Sequence, residues 1–589
     1  MAQTKEWSPK TERVLPILPE ELEEFELQVK RFREGEWDPN KFMAFRLRQG
    51  VYGQRQADEQ MVRVKAPFGG LTADQLDALG EFAELYTPLR KGHVTTRENI
   101  QFHHVKIEDA AKGLWLLADV GLSTREACGN TMRNVTGCHM AGVCGVEPFD
   151  VTPYAAAYAR FFLRHPFTQA LPRKMKTAFS GCAKDCAITP IHDVGFLPKI
   201  ENGRRGFKMV VGGGTSIMPR IAPTLYEFVP VEEYLKVTEA VVRIFDRTDE
   251  LRKNRMKARI KFYIDRIGID EFREIVEEEL KQEWAREGNF DPTPLLFVED
   301  ETPDAPSLTA NYHTNGHTNQ FQMWKATNVE SQRQHGYVAA TARLPLGDIS
   351  DKQFHQLAEL SRKYAGGRVR VTHQQNLVFR WVPEGALYEL WESLKEVGFG
   401  ESGANTINDV VSCPGTDSCK LGITSSMGLG RALTEAITEL NSDDPLVKKM
   451  HVKMSGCPNG CGQHHVADIG FHGAAMKGAN RQQVPAYELF LGGSYEADDP
   501  RFGLRVKARV PSRRVPEAFK MIVDYYQKNR NEGEEFKTFT ARIGTAPFEE
   551  LLAEFRDIGE LNKETIQTYM DWDKTVLYKV ERGEGECAV

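Results

Sequence analysis

The sequence predicts an α+β fold written twice along one chain. Three observations carry this. Eight of the ten cysteines fall into two sets of identical internal spacing, the motifs around them overlay at a constant offset, and each copy opens on the same strand–helix–strand–helix pattern.

Cys138 and Cys144 form a C-x5-C pair, followed after 37 residues by Cys182 and Cys186 as C-x3-C. Cys413, Cys419, Cys457 and Cys461 repeat that arrangement, each displaced by 275 residues. SGCAKDCAITPIHDVGF (180–196) overlays SGCPNGCGQHHVADIGF (455–471), and VTTRENIQFHHV (94–105) overlays VTHQQNLVFRWV (371–382). Agreement of this extent marks an internal duplication, and two long copies exclude a solenoid.

In copy one, Met61–Val64 reads as a strand ending at Pro67 and the Gly69-Gly70 break. Thr72 is placed to cap a helix carrying Leu76, Leu79, Ala83 and Tyr86 at spacings of three and four. Val94–Val105 reads as a second strand and Glu108–Val120 as a helix stopped by Gly121. Copy two repeats the order: strand Tyr337–Leu344, helix Ser350–Tyr364, strand Arg368–Val382, helix Glu384–Val397 stopped by Gly398. Pairing the two units about a pseudo-twofold axis is expected to complete one sheet. The expected divisions are an amino-terminal arm (1–45), a small unit (46–122), a larger α/β unit (123–290), a linker (291–334), the second small unit (335–400), the second larger unit (401–545) and a carboxy-terminal tail (546–589).

Composition sets the class. With 589 residues, 41% hydrophobic and 27% charged, the chain suits a multidomain protein with a proper core, not a disordered, fibrous or disulfide-stapled one. The formal charge of −7 gives no global attraction for nucleic acid or anionic lipid, so anion chemistry has to come from a local basic pocket. The start (MAQTKEWSPKTERV) lacks a basic region followed by an apolar run, and no apolar stretch approaches the ~20 residues of a membrane span. A soluble, cytoplasmic protein is expected. Gly212-Gly213-Gly214 lacks the G-x-G-x-x-G pattern of a dinucleotide site.

Two cysteine pairs suit an iron–sulfur cluster or tetrahedral zinc, or stand unmetallated as small buried hydrophobes. C-x5-C is wider than the usual zinc pair, and neighbouring glycines let backbone amides approach the sulfurs, which favours a cluster. A zinc or iron–sulfur protein without catalysis would use the same cysteines, with His464, His465 and His472 available as ligands or as packing. Arg97, Asn99, Gln101 and His103 alternate on one strand face, facing either solvent or a polar ligand.

Together, CPGTDSC…SGCPNGC, MVRVKAPFGG, TTRENIQFHHV, MRNVTGC, LPRKMKT and FTARIG resemble the sirohaem-containing sulfite and nitrite reductases over residues 40–545. The resemblance implies a duplicated sulfite/nitrite reductase fold, with two ferredoxin-like half-domains and two larger sirohaem/cluster domains. It implies that Cys413, Cys419, Cys457 and Cys461 hold a [4Fe–4S] cluster, with Cys461 also bridging to the sirohaem iron. It gives Arg63, Arg133, Lys174 and Lys176 the role of anion clamp, and assigns sirohaem contacts to Arg97, Gln101, His103 and Gln375. The implied reaction is six-electron reduction of sulfite to sulfide, or of nitrite to ammonia.

The duplication supplies a control. The copy-two counterparts of Arg63, Arg133, Lys174 and Lys176 are Thr341, Asn408, Lys449 and His451, and Arg97 becomes Gln374. One site is therefore expected at the pseudo-twofold interface, with cations from copy one and sulfur ligands from copy two. The first tetrad, Cys138, Cys144, Cys182 and Cys186, departs from the family pattern and reads as a relic or as a second cluster, with or without a second sirohaem. By resemblance, Lys174-Met175-Lys176 and His103 point to the sulfite branch, since the nitrite branch tends to carry Asn at the second lysine. A separate electron donor, ferredoxin or an NADPH-flavoprotein, is implied. Cys128 has no assigned partner, and Cys587 is expected to be a surface thiol.

Overall fold

Two consecutive residues with positive φ, Phe68 (47°) and Gly69 (72°), turn the chain out of the first sheet just before the helix that Thr72 caps. Leu346 (53°) and Gly347 (76°) do the same in copy two. At both glycines a Cβ would collide with the other copy's backbone, 2.4 Å from Val371 O and 2.6 Å from Val94 O. The turn thus delivers a short strand to the opposite copy. Gly70–Thr72 pairs antiparallel with Arg368–Val371, and Asp348–Ser350 pairs antiparallel with Lys91–Val94. The single shared sheet expected from the sequence is in fact two five-stranded sheets, each completed by a strand of its twin. Alternation of residues cannot reveal such an exchange, because a strand's pattern is blind to whose edge it joins.

The computed structural model describes residues 14–313, 318–478, 481–583 and 585–586; Cys587 lies outside them. Both half-domain helices carry capping boxes, Thr72 with Gln75 and Ser350 with Gln353. They pack together in one core that draws on both copies: Leu76, Leu79, Phe82 and Phe102 with Phe354, Leu357 and Phe379. The expected second strands are hairpins, Lys91–Val94 with Ile100–Val105, and Arg368–Val371 with Leu377–Pro383. A turn at 95–99 interrupts the first, where Thr95 Oγ1 accepts from the amides of Arg97 and Asn99 and Glu98 adopts φ 56°. Arg97 and Asn99 therefore lie on the turn, and only Gln101 and His103 share the strand face.

Each larger unit is a five-stranded mixed sheet with its own core. In copy one Met132–Gly137, Met175–Phe179 and Val194–Glu201 run parallel; in copy two Val411–Ser412, Val452–Ser455 and Ile469–Lys477 do. The registers match at the offset of 275, Gly137 facing Phe179 as Ser412 faces Met454. Each tetrad follows the carboxyl ends of two parallel strands, where open α/β sheets bind ligands.

Three segments read as irregular are ordered. Pro19–Arg33 and Pro39–Arg48 are helices packed on the shared core. The linker contains the helix Asn319–Asn328, capped by Thr318 and seated through buried Phe321 and Trp324. The tail runs across the loop that carries Cys419 and meets the first half-domain at Glu586.

Candidate active site

The two copies touch at Cys461. Thr96, on the copy-one turn, donates through Oγ1 to Cys461 O at 2.7 Å, and Thr96 O meets His373 Nδ1 at 2.9 Å. Arg55 and Gln56 also grip the cluster loop, Arg55 Nη2 donating to Gly422 O at 2.6 Å and Gln56 Nε2 to Asp417 O at 2.9 Å. Among the copy-two cysteines, Cys457 is buried, Cys413 and Cys419 are half-buried, and Cys461 is exposed.

These four sulfurs lie within electrostatic reach of one another. Burial, reinforced by Cys461, pushes the Cys413 thiol up to about 12 and the Cys419 thiol upward. Backbone amides are aimed at them: Gly456 N donates to Cys413 Sγ at 3.3 Å, and the amides of Asn459 and of Leu421 and Gly422 reach Cys457 and Cys419. Four gathered thiols with amides bonded to sulfur are a donor set suited to an iron–sulfur cluster.

On the copy-one side, Arg63 pairs in register with Gln101, whose amide oxygen accepts from Arg63 Nη2 at 2.7 Å and Nε at 3.0 Å. Arg63 and Arg133 both donate to Ala127 O, and Arg133 also clasps Gly129 O. Arg97 reaches from its turn to Thr136 Oγ1 and Asn134 O, and burial lowers its guanidinium to about 10. Lys176, half-buried, is pushed well below its ordinary range by burial and by the charges of Arg259, Lys174 and Arg97, with Cys461 the opposing influence. Arg133 lies within reach of Arg97, Arg97 of Lys176, and Lys176 of Cys461. Such a cluster lowers its own repulsion by taking up anionic groups. Asn99 Oδ1, His103 Nδ1 and Asn134 Oδ1 are buried without a hydrogen-bond partner, as fits residues facing a polar cofactor.

Two of the residues expected to contact sirohaem, His103 and Gln375, have the following surroundings. His103 lines a small cavity with His93, Asp348, Pro414 and Ser418, on the flank of the cluster loop. Gln375 spends both ends of its amide on protein, donating to Val94 O at 2.7 Å and accepting from Ser412 N at 3.0 Å. His464, His465 and His472 pack on each other and on Phe490.

Sequence reasoning missed the support for Lys176. Lys176 N donates to Asp193 Oδ2 at 2.9 Å, and buried Asp193 is paired with Arg259 at 2.7 Å. His451 N and Asp468 repeat that contact at 2.8 Å, so Asp193 was visible as an invariant of the repeat. Thr96 and Arg55 gave no signal, because each acts through contacts between the copies.

Comparison with known proteins decides the family. The pattern for the nitrite and sulphite reductase 4Fe–4S domain matches residues 128–284 and 402–559, and that for the nitrite/sulfite reductase ferredoxin-like half-domain matches 52–118 and 330–397. This chain belongs to the nitrite and sulfite reductase family. Sirohaem and a [4Fe–4S] cluster are the cofactors of this family. Among the reductases it resembles are a sulfite reductase [ferredoxin] of Mycobacterium tuberculosis, 30% identical over 492 residues (82% of each chain), and a ferredoxin–nitrite reductase of Synechococcus elongatus, 28% identical over 475 residues (79% of this chain, 85% of the relative). The solved structure of the NirA protein of Mycobacterium tuberculosis superposes with a TM-score of 0.73 at 28% identity, covering 88% of this chain and 92% of that one. Among the described residues of this reductase, no helix is long and apolar enough to cross a membrane.

Proposed function

We propose that this reductase converts sulfite to sulfide in a six-electron reduction, with ferredoxin as donor. The observation that carries the reading is Lys176, set between Lys174, Arg97 and Arg259 and within electrostatic reach of Cys461. Two lysines beside two arginines favour a dianion with three oxygens over a monoanion with two. When bound, the cluster and sirohaem supply single electrons and an iron centre for the anion's central atom.

The chain's own groups do the rest. Arg63 and Arg133, braced on Ala127 O, hold and orient the anion's oxygens. Lys174 and Lys176 carry protons at Nζ to oxygens that leave as water. Asp193 fixes the backbone at Lys176, and Arg259 anchors Asp193 in turn. Cys413, Cys419, Cys457 and Cys461 would hold the cluster, with Cys461 within electrostatic reach of Lys176. The names of several relatives support ferredoxin as the donor.

Nitrite reduction is the second reading, because relatives so named match at nearly the same identity. Steady-state kcat/KM for both anions, measured with reduced ferredoxin, separates the two. Preference for sulfite supports the assignment, and preference for nitrite reverses it.

A further inference from the structure

The first cysteine tetrad has no part in the site described above, and the fold brings it together. Cys138 and Cys182 are buried, and Cys144 and Cys186 are half-buried. The thiols of Cys138 and Cys186 are hydrogen-bonded to each other, as are those of Cys182 and Cys144, and Cys182 is within electrostatic reach of Cys138. All four are free. They lie at the carboxyl ends of the parallel strands Met132–Gly137 and Met175–Phe179, at register positions matching those of the copy-two tetrad.

The surroundings keep what a cluster needs. The amide of Lys184 is bonded to the Cys182 thiol as that of Asn459 is to Cys457, at the same offset of 275 residues. The amide of Met140 is likewise bonded to Cys138. Among the described residues, no three His, Cys, Asp or Glu side chains are spaced to grip a single metal ion. A four-iron cluster sets a different demand, since each thiolate binds its own iron and the sulfurs stand further apart.

The two sides differ in what faces the tetrad. Thr215, just after the copy-one glycine run, stands beside Gly460 next to Cys461, 3.1 Å from where a Cβ would lie. Its counterpart after the copy-two run is Tyr495, which stands within electrostatic reach of Cys186. The Tyr495 ring packs edge-on against His451 at 5.1 Å, takes Lys453 over its face at 5.0 Å, and bonds through its hydroxyl to Gln374. His451 and Gln374 are the copy-two counterparts of Lys176 and Arg97, so an aromatic side chain stands here against the positions that carry cations in the other copy.

We infer that Cys138, Cys144, Cys182 and Cys186 hold a second [4Fe–4S] cluster, and that no second sirohaem accompanies it because Tyr495 takes its place. The cluster is of the one-electron-carrier class.

The test uses the full chain, purified without oxygen, with acid-labile sulfide, iron, zinc and extracted sirohaem measured per chain. The expected result is about eight sulfides and one sirohaem. In Cys138→Ser/Cys182→Ser the sulfide is halved while the sirohaem absorption stays. About four sulfides in the wild-type protein, or zinc in the tetrad, overturns the cluster. Eight sulfides with two sirohaems overturns the role of Tyr495. None of these readings depends on which anion the enzyme prefers, so failure here is distinct from failure of the sulfite assignment.

Discussion

Arg63 and Arg133 converge on one acceptor, the carbonyl oxygen of Ala127, at 3.1 and 2.7 Å. Two guanidinium groups sharing one neutral oxygen remain mutually repulsive, and an anion between them relieves that repulsion. Arg133 also makes two bonds to Gly129 O, a forked geometry that a lysine cannot reproduce. Arg133→Lys is therefore expected to lower kcat/KM for sulfite by about 10- to 100-fold, the loss of about 1.5–3 kcal/mol from a charged hydrogen bond. Kinetics alongside the visible spectrum checks it; a full complement of cofactor with unchanged kcat/KM removes Arg133 from the clamp.

Lys176 is held against its own electrostatics. Burial and three neighbouring cations disfavour its ammonium, and the structure keeps it there through Asp193. Lys176→Met is expected to retain both cofactors, to leave the melting temperature unchanged or raised, and to lose about 100-fold or more in kcat, the usual scale for a proton donor. A fall in melting temperature with kcat intact reverses this reading and makes the residue structural.

The duplication and the cysteines were legible because metal ligands impose fixed spacings, and a spacing seen twice excludes coincidence. The cation cluster was legible through the asymmetry between the copies, Arg63 against Thr341 and Lys176 against His451. What stayed hidden depends on contacts across the pseudo-twofold axis. The exchanged strand at Gly70–Thr72 follows from left-handed φ at Phe68, which no side-chain pattern announces. The break at 95–99 is made by one threonine hydroxyl bonding two amides, which polar alternation mimics. The helix at Asn319–Asn328 was masked by polar neighbours, although Phe321 and Trp324 at a spacing of three were its signal.

Glu98 gives the fold a dependence on pH. Its Oε2 accepts from Gly137 N at 2.9 Å, and its Oε1 lies 3.3 Å from His373 Nε2. Burial pushes the carboxyl up to about 8 and His373 down to about 3. With Nδ1 of His373 donating to Thr96 O, Nε2 carries no hydrogen and stands unpaired beside Glu98 Oε1. Between the unfolded value of 4.5 and about 8, the native state keeps a proton that the unfolded chain has released. The contribution of Glu98 to stability therefore falls as pH rises through that window, by up to about 1.4 kcal/mol per pH unit, while that of His373, lowered from 6.5, rises with pH up to about 6.5. Glu98→Gln keeps the shape without the titration, so its melting temperature is expected to rise relative to that of the wild type as pH goes from 5 to 8. Parallel curves for the two proteins would exclude Glu98 as the source.

Glu586 closes the tail onto the first half-domain. Its carboxylate accepts from Arg46 Nη1 and Nη2, each at 2.8 Å, from Gly53 N at 2.8 Å and from Lys420 Nζ at 2.9 Å. Lys420 follows Cys419 directly, and along the same tail Tyr578 donates to Ile423 O at 2.7 Å and Gly583 N to Lys420 O at 2.9 Å. The tail thus pins the loop that carries Cys419, a cluster ligand in the proposed site. Removing the carboxylate strands the buried Arg46 guanidinium, which costs about 3–5 kcal/mol, whereas replacing both partners by apolar groups is close to neutral. Glu586→Ala is expected to lower the melting temperature and to speed loss of cluster absorbance to an iron chelator. Arg46→Met/Glu586→Leu is expected to recover most of the melting temperature while still losing the cluster faster than wild type, because the anchor to Lys420 is gone. Equal chelator rates in the wild type and both variants would leave the ion pair a matter of stability alone, with no hold on the cluster loop.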